Sequence, residues 1–160
     1  MKNKAKVVVI GGGVVGVSTL YHLAKKGWSD VVLCERKELT SGSTWHAAGL
    51  MPLFNMSYSV GQIHKYSVKF YQELEKETGQ DVGFREVSNI RLAENQDRMD
   101  EYRQYAGVAE TIGVKVNFLT PEEIQKAWPL CSIDGLVGAI QHPEDGYIQP
   151  NDLTQALAKG

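Results

Sequence analysis

The stretch Val7-Val8-Val9-Ile10-Gly11-Gly12-Gly13-Val14-Val15-Gly16 runs an apolar strand straight into a glycine turn and the start of a helix. The continuous β-branched run from Lys6 to Ile10 carries the pattern of a strand buried on both faces. From Val14 to Lys26 the residues Val17, Leu20, Tyr21, Leu23 and Ala24 make a broad apolar helical face, and Gly27 suits the C-cap. Val31 to Cys34 forms a second parallel strand that ends at Glu35. Residues 5–36 are therefore a βαβ unit of the usual size for dinucleotide binding.

Each part of that unit has a physical task. Gly11 permits the tight turn, Gly13 lets the backbone approach a pyrophosphate, and Gly16 lets the helix pack close to the strand. The first-turn N–H groups of the helix, with Val14 and Val15 among them, then face the negative charge. Glu35 stands nineteen residues after Gly16, where a carboxylate pairs with ribose hydroxyls and repels the extra phosphate of NADP. Arg36 is either a solvated neighbour of Glu35 or a cover for the adenine or ribose edge. A βαβ unit alone does not separate NAD from FAD. The loop from Lys37 to Asn55 speaks for FAD, because Thr40-Ser41-Gly42-Ser43-Thr44 offers hydroxyls and backbone donors for a pyrophosphate and a ribityl chain.

Beyond that loop, a helix is predicted from Ser59 to Thr78 with Val60, Ile63, Phe70 and Leu74 on one face, ended by Gly79. Phe84 to Ala93 alternates as a strand, Asn95 to Gly113 is a polar helix, and Val114 to Leu119 is a short strand. Thr120-Pro121-Glu122-Glu123 is a capping box that opens a short helix ending before Pro129. Gly135 to Gln141 is another strand, and His142 to Gln149 a turn-rich link. Asn151 reads as the N-cap of a last helix with Leu153, Ala156 and Leu157 on its apolar face. That helix stops at Gly160 after about two turns, as expected of an N-terminal piece of a longer protein. The fold class expected is α/β, with a Rossmann-like parallel sheet and part of a mixed α+β region on the substrate side.

Composition removes several function classes. Among 160 residues, 17 Lys+Arg against 19 Asp+Glu leave a formal charge of −2, which argues against a nucleic-acid partner. Cys34 and Cys131 match no zinc spacing, and Cys34 reads as a buried free thiol in a reducing compartment. No apolar run is long enough to span a membrane. The basic start Met1–Lys6 lacks a signal core, so the cytoplasm is the expected compartment, or the mitochondrial matrix if the true N-terminus is longer. His22, His64 and His142 show no partner spacing.

The stretch Gly42-Ser43-Thr44-Trp45-His46-Ala47-Ala48-Gly49-Leu50, taken with the glycine turn and Val31–Arg36, resembles the amine-oxidising flavoproteins of the D-amino-acid-oxidase superfamily. Within it the chain is most similar to the dimethylglycine and sarcosine dehydrogenase family. The likeness continues through Glu77–Phe84, Asn89–Ala93 and Gly146–Pro150, so that residues 1–160 read as the N-terminal part of such a domain. The resemblance implies FAD bonded through its 8α-methyl carbon to the imidazole of His46. It further implies oxidation of a small N-methylated glycine, with electrons passing to an electron-transfer flavoprotein or to oxygen. A tetrahydrofolate-binding region would lie downstream. Trp45 is either a core residue or a wall beside the ring, while Ala47, Ala48 and Gly49 let backbone pass close to a planar group. No acid/base residue of the reaction is expected before Gly160. Two other readings stay open: an NAD-dependent Rossmann enzyme, and a fragment that neither retains FAD nor turns over.

Overall fold

A computed structural model describes residues 4–160; Met1, Lys2 and Asn3, half of the basic start, lie outside the described residues. Its elements are β1 (Val7–Ile10), α1 (Val14–Lys25), β2 (Val31–Cys34), a 3-10 turn (Thr44–His46), β3 (Leu50–Met51), α2 (Tyr58–Thr78), β4 (Arg85–Glu86), β5 (Asn89–Ala93), α3 (Gln96–Ile112), β6 (Asn117–Leu119), α4 (Pro121–Ala127), β7 (Gly138–His142), β8 (Gly146–Tyr147) and α5 (Pro150–Lys159). They divide into two units. Of the described residues, the first holds 4–50, 70–84 and 148–160; the second holds 51–69 and 85–147.

In the first unit β1 and β2 pair in parallel, with Val7 opposite Val31 and Ile10 opposite Cys34. The expected double-sided burial of β1 is not found: Val8 is 52% and Ile10 87% exposed. The physical reason is that, among the described residues, each strand pairs with a single neighbour and α1 is the helix packed on the pair. Cys34 is likewise exposed rather than buried, at the end of a strand whose other three residues are half-buried. The core of this unit is built from Val17, Tyr21, Phe70, Leu74, Val82, Leu153, Ala156 and Leu157. Tyr21 donates to Glu77 at 2.5 Å, and Lys25 pairs with the same carboxylate at 2.8 Å. Helix α5 begins at Pro150 with Gln149 as N-cap, two residues before the expected Asn151 cap. Pro150 accounts for this, because its fixed φ and missing N–H suit the first helical position.

The second unit is a three-stranded antiparallel sheet in the order β5-β7-β6, with β4 pairing β8 beside it. Asn95 caps α3 by accepting from the Arg98 N–H at 2.9 Å, and Gly113 closes it at φ 76°. The Thr120 capping box forms as the sequence requires. Three expectations change. The strand expected over Phe84–Ala93 breaks at Val87 and Ser88, whose N–H groups both turn to the Asp145 carbonyl while Ser88 takes φ 70°. The link from His142 to Gln149 contains a strand of its own, β8. On α2 the buried face in this unit runs through Gly61 and Val68, leaving Val60 and Ile63 exposed. Gly61 is the closest approach there, since a Cβ on it would sit 2.3 Å from Ile112.

The core of the second unit includes two titratable side chains, His142 and Asp145, 0% and 2% exposed. Burial, reinforced by the Arg91 charge, pushes His142 down to about 4, and burial pushes the Asp145 carboxyl up to about 6. Their effects on stability oppose each other. Below its ordinary value of 6.5 the unfolded chain protonates His142 and the folded chain does not until about 4, so stability falls as pH drops through that range. Asp145, ordinarily 3.8, takes up its proton in the folded state first, so its contribution rises as pH drops below about 6. Asp145→Asn removes the second slope and exposes the first. The variant is expected to lose about 2–3 kcal/mol between pH 7 and pH 4.5, with a much smaller loss from this pair in the unsubstituted protein. Urea denaturation at the two pH values measures it, and equal losses would contradict the assignment.

Candidate functional site

The site is built on the first unit, where a loop folds back over the glycine turn. Gly11 adopts φ 109° and donates its N–H to the Cys34 carbonyl at 2.8 Å, which ties the turn to the end of β2. A Cβ on Gly16 would lie 1.9 Å from the Gly11 carbonyl oxygen, so α1 approaches the turn as closely as a bare backbone allows. Gly13 is the N-cap of α1, and no side chain of its own caps the helix. The amides opening α1 are thus left to other partners, as an anion site at a helix N-terminus requires.

Loop residues claim part of this turn. The Val14 N–H donates to Thr44 Oγ1 at 2.9 Å, and the Thr40 N–H donates to the Gly12 carbonyl at 2.9 Å. Thr40 holds φ 70°, a conformation that a β-branched residue adopts at a cost of about 1–3 kcal/mol. Glu35 accepts the Gly12 N–H at 2.6 Å and the Lys37 N–H at 2.8 Å, one on each oxygen. These bonds, the Gly12 amide first, hold its carboxyl below the usual range. Each oxygen keeps a further lone pair able to accept a hydroxyl. Arg36 beside it is exposed.

The motif from Gly42 to Leu50 is pinned at both ends and open between them. Thr44 is its buried residue, 8% exposed. Gly49, at φ 73°, accepts the Ile148 N–H at 2.8 Å, and a Cβ there would strike the Ile148 carbonyl at 2.1 Å. Between these anchors Trp45, His46, Ala47 and Ala48 are exposed, as is Ser43 just before them, and Trp45 is 56% exposed rather than a core residue. The Trp45 and His46 rings lie 4.0 Å apart between centroids, tilted by 39°. His46 Nδ1 lies 3.1 Å from the Gly42 carbonyl. A carbonyl only accepts, so Nδ1 carries a proton, and in the neutral tautomer this selects, Nε2 holds the lone pair.

These residues fit a dinucleotide laid across the start of α1: a glycine cradle that a Cβ would fill, an ionised carboxylate at the end of β2, and an imidazole with a free nitrogen two residues from the Thr44 anchor. Thr44, expected to face the cofactor, accepts the Val14 N–H on its hydroxyl oxygen and keeps the hydroxyl proton for a further partner. It did not foresee the Thr40 backbone strain. Thr44→Val keeps the shape and removes the acceptor. It is expected to lower stability by about 1–2 kcal/mol by chemical denaturation, with Thr44→Ser close to the unsubstituted protein. Indistinguishable midpoints for all three would remove the hydroxyl from the site. Among the described residues, no helix is long and apolar enough to cross a membrane, and no cluster of His, Cys, Asp or Glu could hold a metal ion.

Comparison with known proteins gives a consistent result. The family described as FAD dependent oxidoreductase matches residues 6–160. Dimethylglycine dehydrogenase, mitochondrial, from Rattus norvegicus is 46% identical over 159 residues, covering 99% of this chain and 19% of that protein. Sarcosine dehydrogenase, mitochondrial, from Homo sapiens is 39% identical over 160 residues, covering 99% of this chain and 17% of that protein. The chain therefore spans about a fifth of the length of these relatives. The crystal structure of L-proline dehydrogenase from P. horikoshii superposes with a TM-score of 0.91 at 28% identity, covering 99% of this chain and 41% of that one.

Proposed function

Because this chain belongs to the FAD dependent oxidoreductase family, we propose that the intact protein oxidises the N-methyl group of a small N-methylated glycine, dimethylglycine first, using FAD carried on His46. The observation that supports this most directly is the exposed His46 imidazole, whose Nδ1–H is engaged by the Gly42 carbonyl so that Nε2 is the nucleophilic nitrogen. Nε2 is accordingly the atom assigned to the 8α-methyl carbon. Bound FAD supplies the two-electron acceptor for hydride leaving the substrate methyl carbon. The iminium left on the substrate is hydrolysed or passes its one-carbon unit to tetrahydrofolate.

The chain's own residues bind and orient. The opening turn of α1 and the Gly11–Gly16 turn receive the pyrophosphate, and Glu35 receives the ribose hydroxyls. Gly42, Ser43, Ala47, Ala48 and Leu50 present backbone and small side chains to the ring system, and Trp45 stands at its edge beside His46. No residue of the chain is assigned the reaction's proton. Dimethylglycine is preferred to sarcosine on Ala47, the residue after the Trp-His pair, and on the higher identity to the first relative, 46% against 39%. The electron acceptor is an electron-transfer flavoprotein or oxygen.

Titrating the intact protein with dimethylglycine and with sarcosine, and following flavin absorbance, tests the proposal. Bleaching of the flavin band at lower dimethylglycine than sarcosine concentration is expected. NADH binding without flavin absorbance would transfer the site to a nicotinamide enzyme. The 160-residue chain alone is expected to show no turnover.

A further inference from the structure

The second unit holds a set of buried polar side chains that neither its packing nor the proposed oxidation uses. Leu53 is 2% exposed, and both of its peptide groups are held by side chains distant in sequence. Its N–H donates to Asp145 Oδ1 at 2.9 Å, and its carbonyl accepts from the Tyr105 hydroxyl at 3.3 Å. The Tyr105 oxygen in turn accepts from His142 Nε2–H at 3.1 Å. Tyr105 and His142 are fully buried, and Asp145 is 2% exposed. Asp145 is itself fixed, because its carbonyl receives the Val87 and Ser88 N–H groups at 3.1 and 2.8 Å. Its second carboxylate oxygen is buried without a partner, so the Leu53 amide is the carboxylate's hydrogen-bonding task. A loop segment held only by packing needs no buried carboxylate, whose desolvation is costly.

We propose that Asp145 is a positioning residue whose carboxylate, opposed by the Tyr105 hydroxyl, sets the backbone of Leu53 and Phe54 on the segment that runs on from the His46 loop. The charged and titratable groups around it are few. Arg91 on β5, its guanidinium 4.3 Å from the Phe54 ring centroid, favours the carboxylate. Glu144 opposes it and is itself paired with Lys115 at 3.1 Å. Tyr105 stays protonated, pushed up to about 12 mainly by burial, and His142 stays neutral down to about 4. Asp145 takes up a proton near 6. A neutral carboxyl is the weaker acceptor, so protonation loosens the grip on Leu53.

Amide hydrogen exchange at Leu53 in the intact protein tests this, with Asp145→Asn and Asp145→Ala. Asparagine keeps an acceptor without titrating; alanine removes it. After correction for intrinsic exchange and for the global stability measured by urea at the same pH, which removes the His142 contribution, Leu53 protection in the unsubstituted protein is expected to fall about tenfold from pH 8 to pH 5, the effect of weakening one hydrogen bond to a charged group. D145N is expected to show no such step, and D145A about tenfold less protection at both pH values. The acid limb of kcat/KM for dimethylglycine should follow the same pattern, and this second readout alone rests on the proposed function. Equal Leu53 protection across the three proteins, or one shared pH step, overturns the proposal. Should D145A not fold, the presence or absence of the step in D145N still settles it. A protein that protects Leu53 as described but does not oxidise dimethylglycine refutes the reaction and leaves the clamp standing.

Discussion

Alanine at position 46 is expected to yield a protein whose acid precipitate is colourless, with all flavin in the supernatant. The unsubstituted protein should keep its yellow colour in the pellet and yield a flavin-bearing peptide containing His46. The reasoning starts from the Gly42 carbonyl, which takes the Nδ1 proton and leaves Nε2 as the available nucleophile. No other histidine in the loop can substitute, since His46 is the single one between Lys37 and Asn55. Turnover with dimethylglycine should fall by about ten- to a hundredfold, because an untethered ring is held less well in its reactive placement and is a weaker oxidant. Flavin that stays with the precipitated H46A protein would place the attachment elsewhere. Flavin that washes out of the unsubstituted protein would remove the tether altogether.

Gly16→Ala is expected to be the most damaging single methyl group in the chain. The added Cβ would lie 1.9 Å from the Gly11 carbonyl oxygen and 3.1 Å from its carbon, against backbone that cannot rotate away. Relief requires either moving α1 off β1 or opening the turn that Gly11 ties to Cys34. Either change costs about 3 kcal/mol or more and disrupts the first-turn amides as well. The variant should unfold at markedly lower urea concentration and retain little FAD. Gly107→Ala is the matched control. It lies within α3, and a Cβ there meets nothing within 4 Å. Alanine at position 107 is expected to be neutral or to stabilise by up to about 1 kcal/mol. Similar behaviour of the two variants would mean that α1 does not depend on the glycine contact.

The glycine turn, both strands of the first unit, α1 and the Thr120 capping box follow from residues within a few positions of one another, and all were legible. The His46 motif was legible as a string, but its anchoring was not. Thr44 bonds an amide thirty residues away, and Gly49 meets Ile148. Burial was misread at Ile10 and Cys34 for the opposite reason: an apolar run announces a buried strand, while actual cover depends on how many strands and helices lie beside it. His142 showed no partner because its partner Tyr105 comes from a different element, 37 residues away.

Read along the chain alone, this protein discloses a dinucleotide-binding βαβ unit, a family and a candidate flavin-bearing histidine. Each is encoded by spacing within short stretches, where φ preferences, capping and strand alternation act locally. Folding in three dimensions chose which nitrogen of His46 meets the Gly42 carbonyl, which hydroxyl anchors the loop to the helix, and which buried carboxyl grips Leu53. Those outcomes turn on hydrogen-bond partners and on desolvation, and both depend on what the rest of the chain brings alongside.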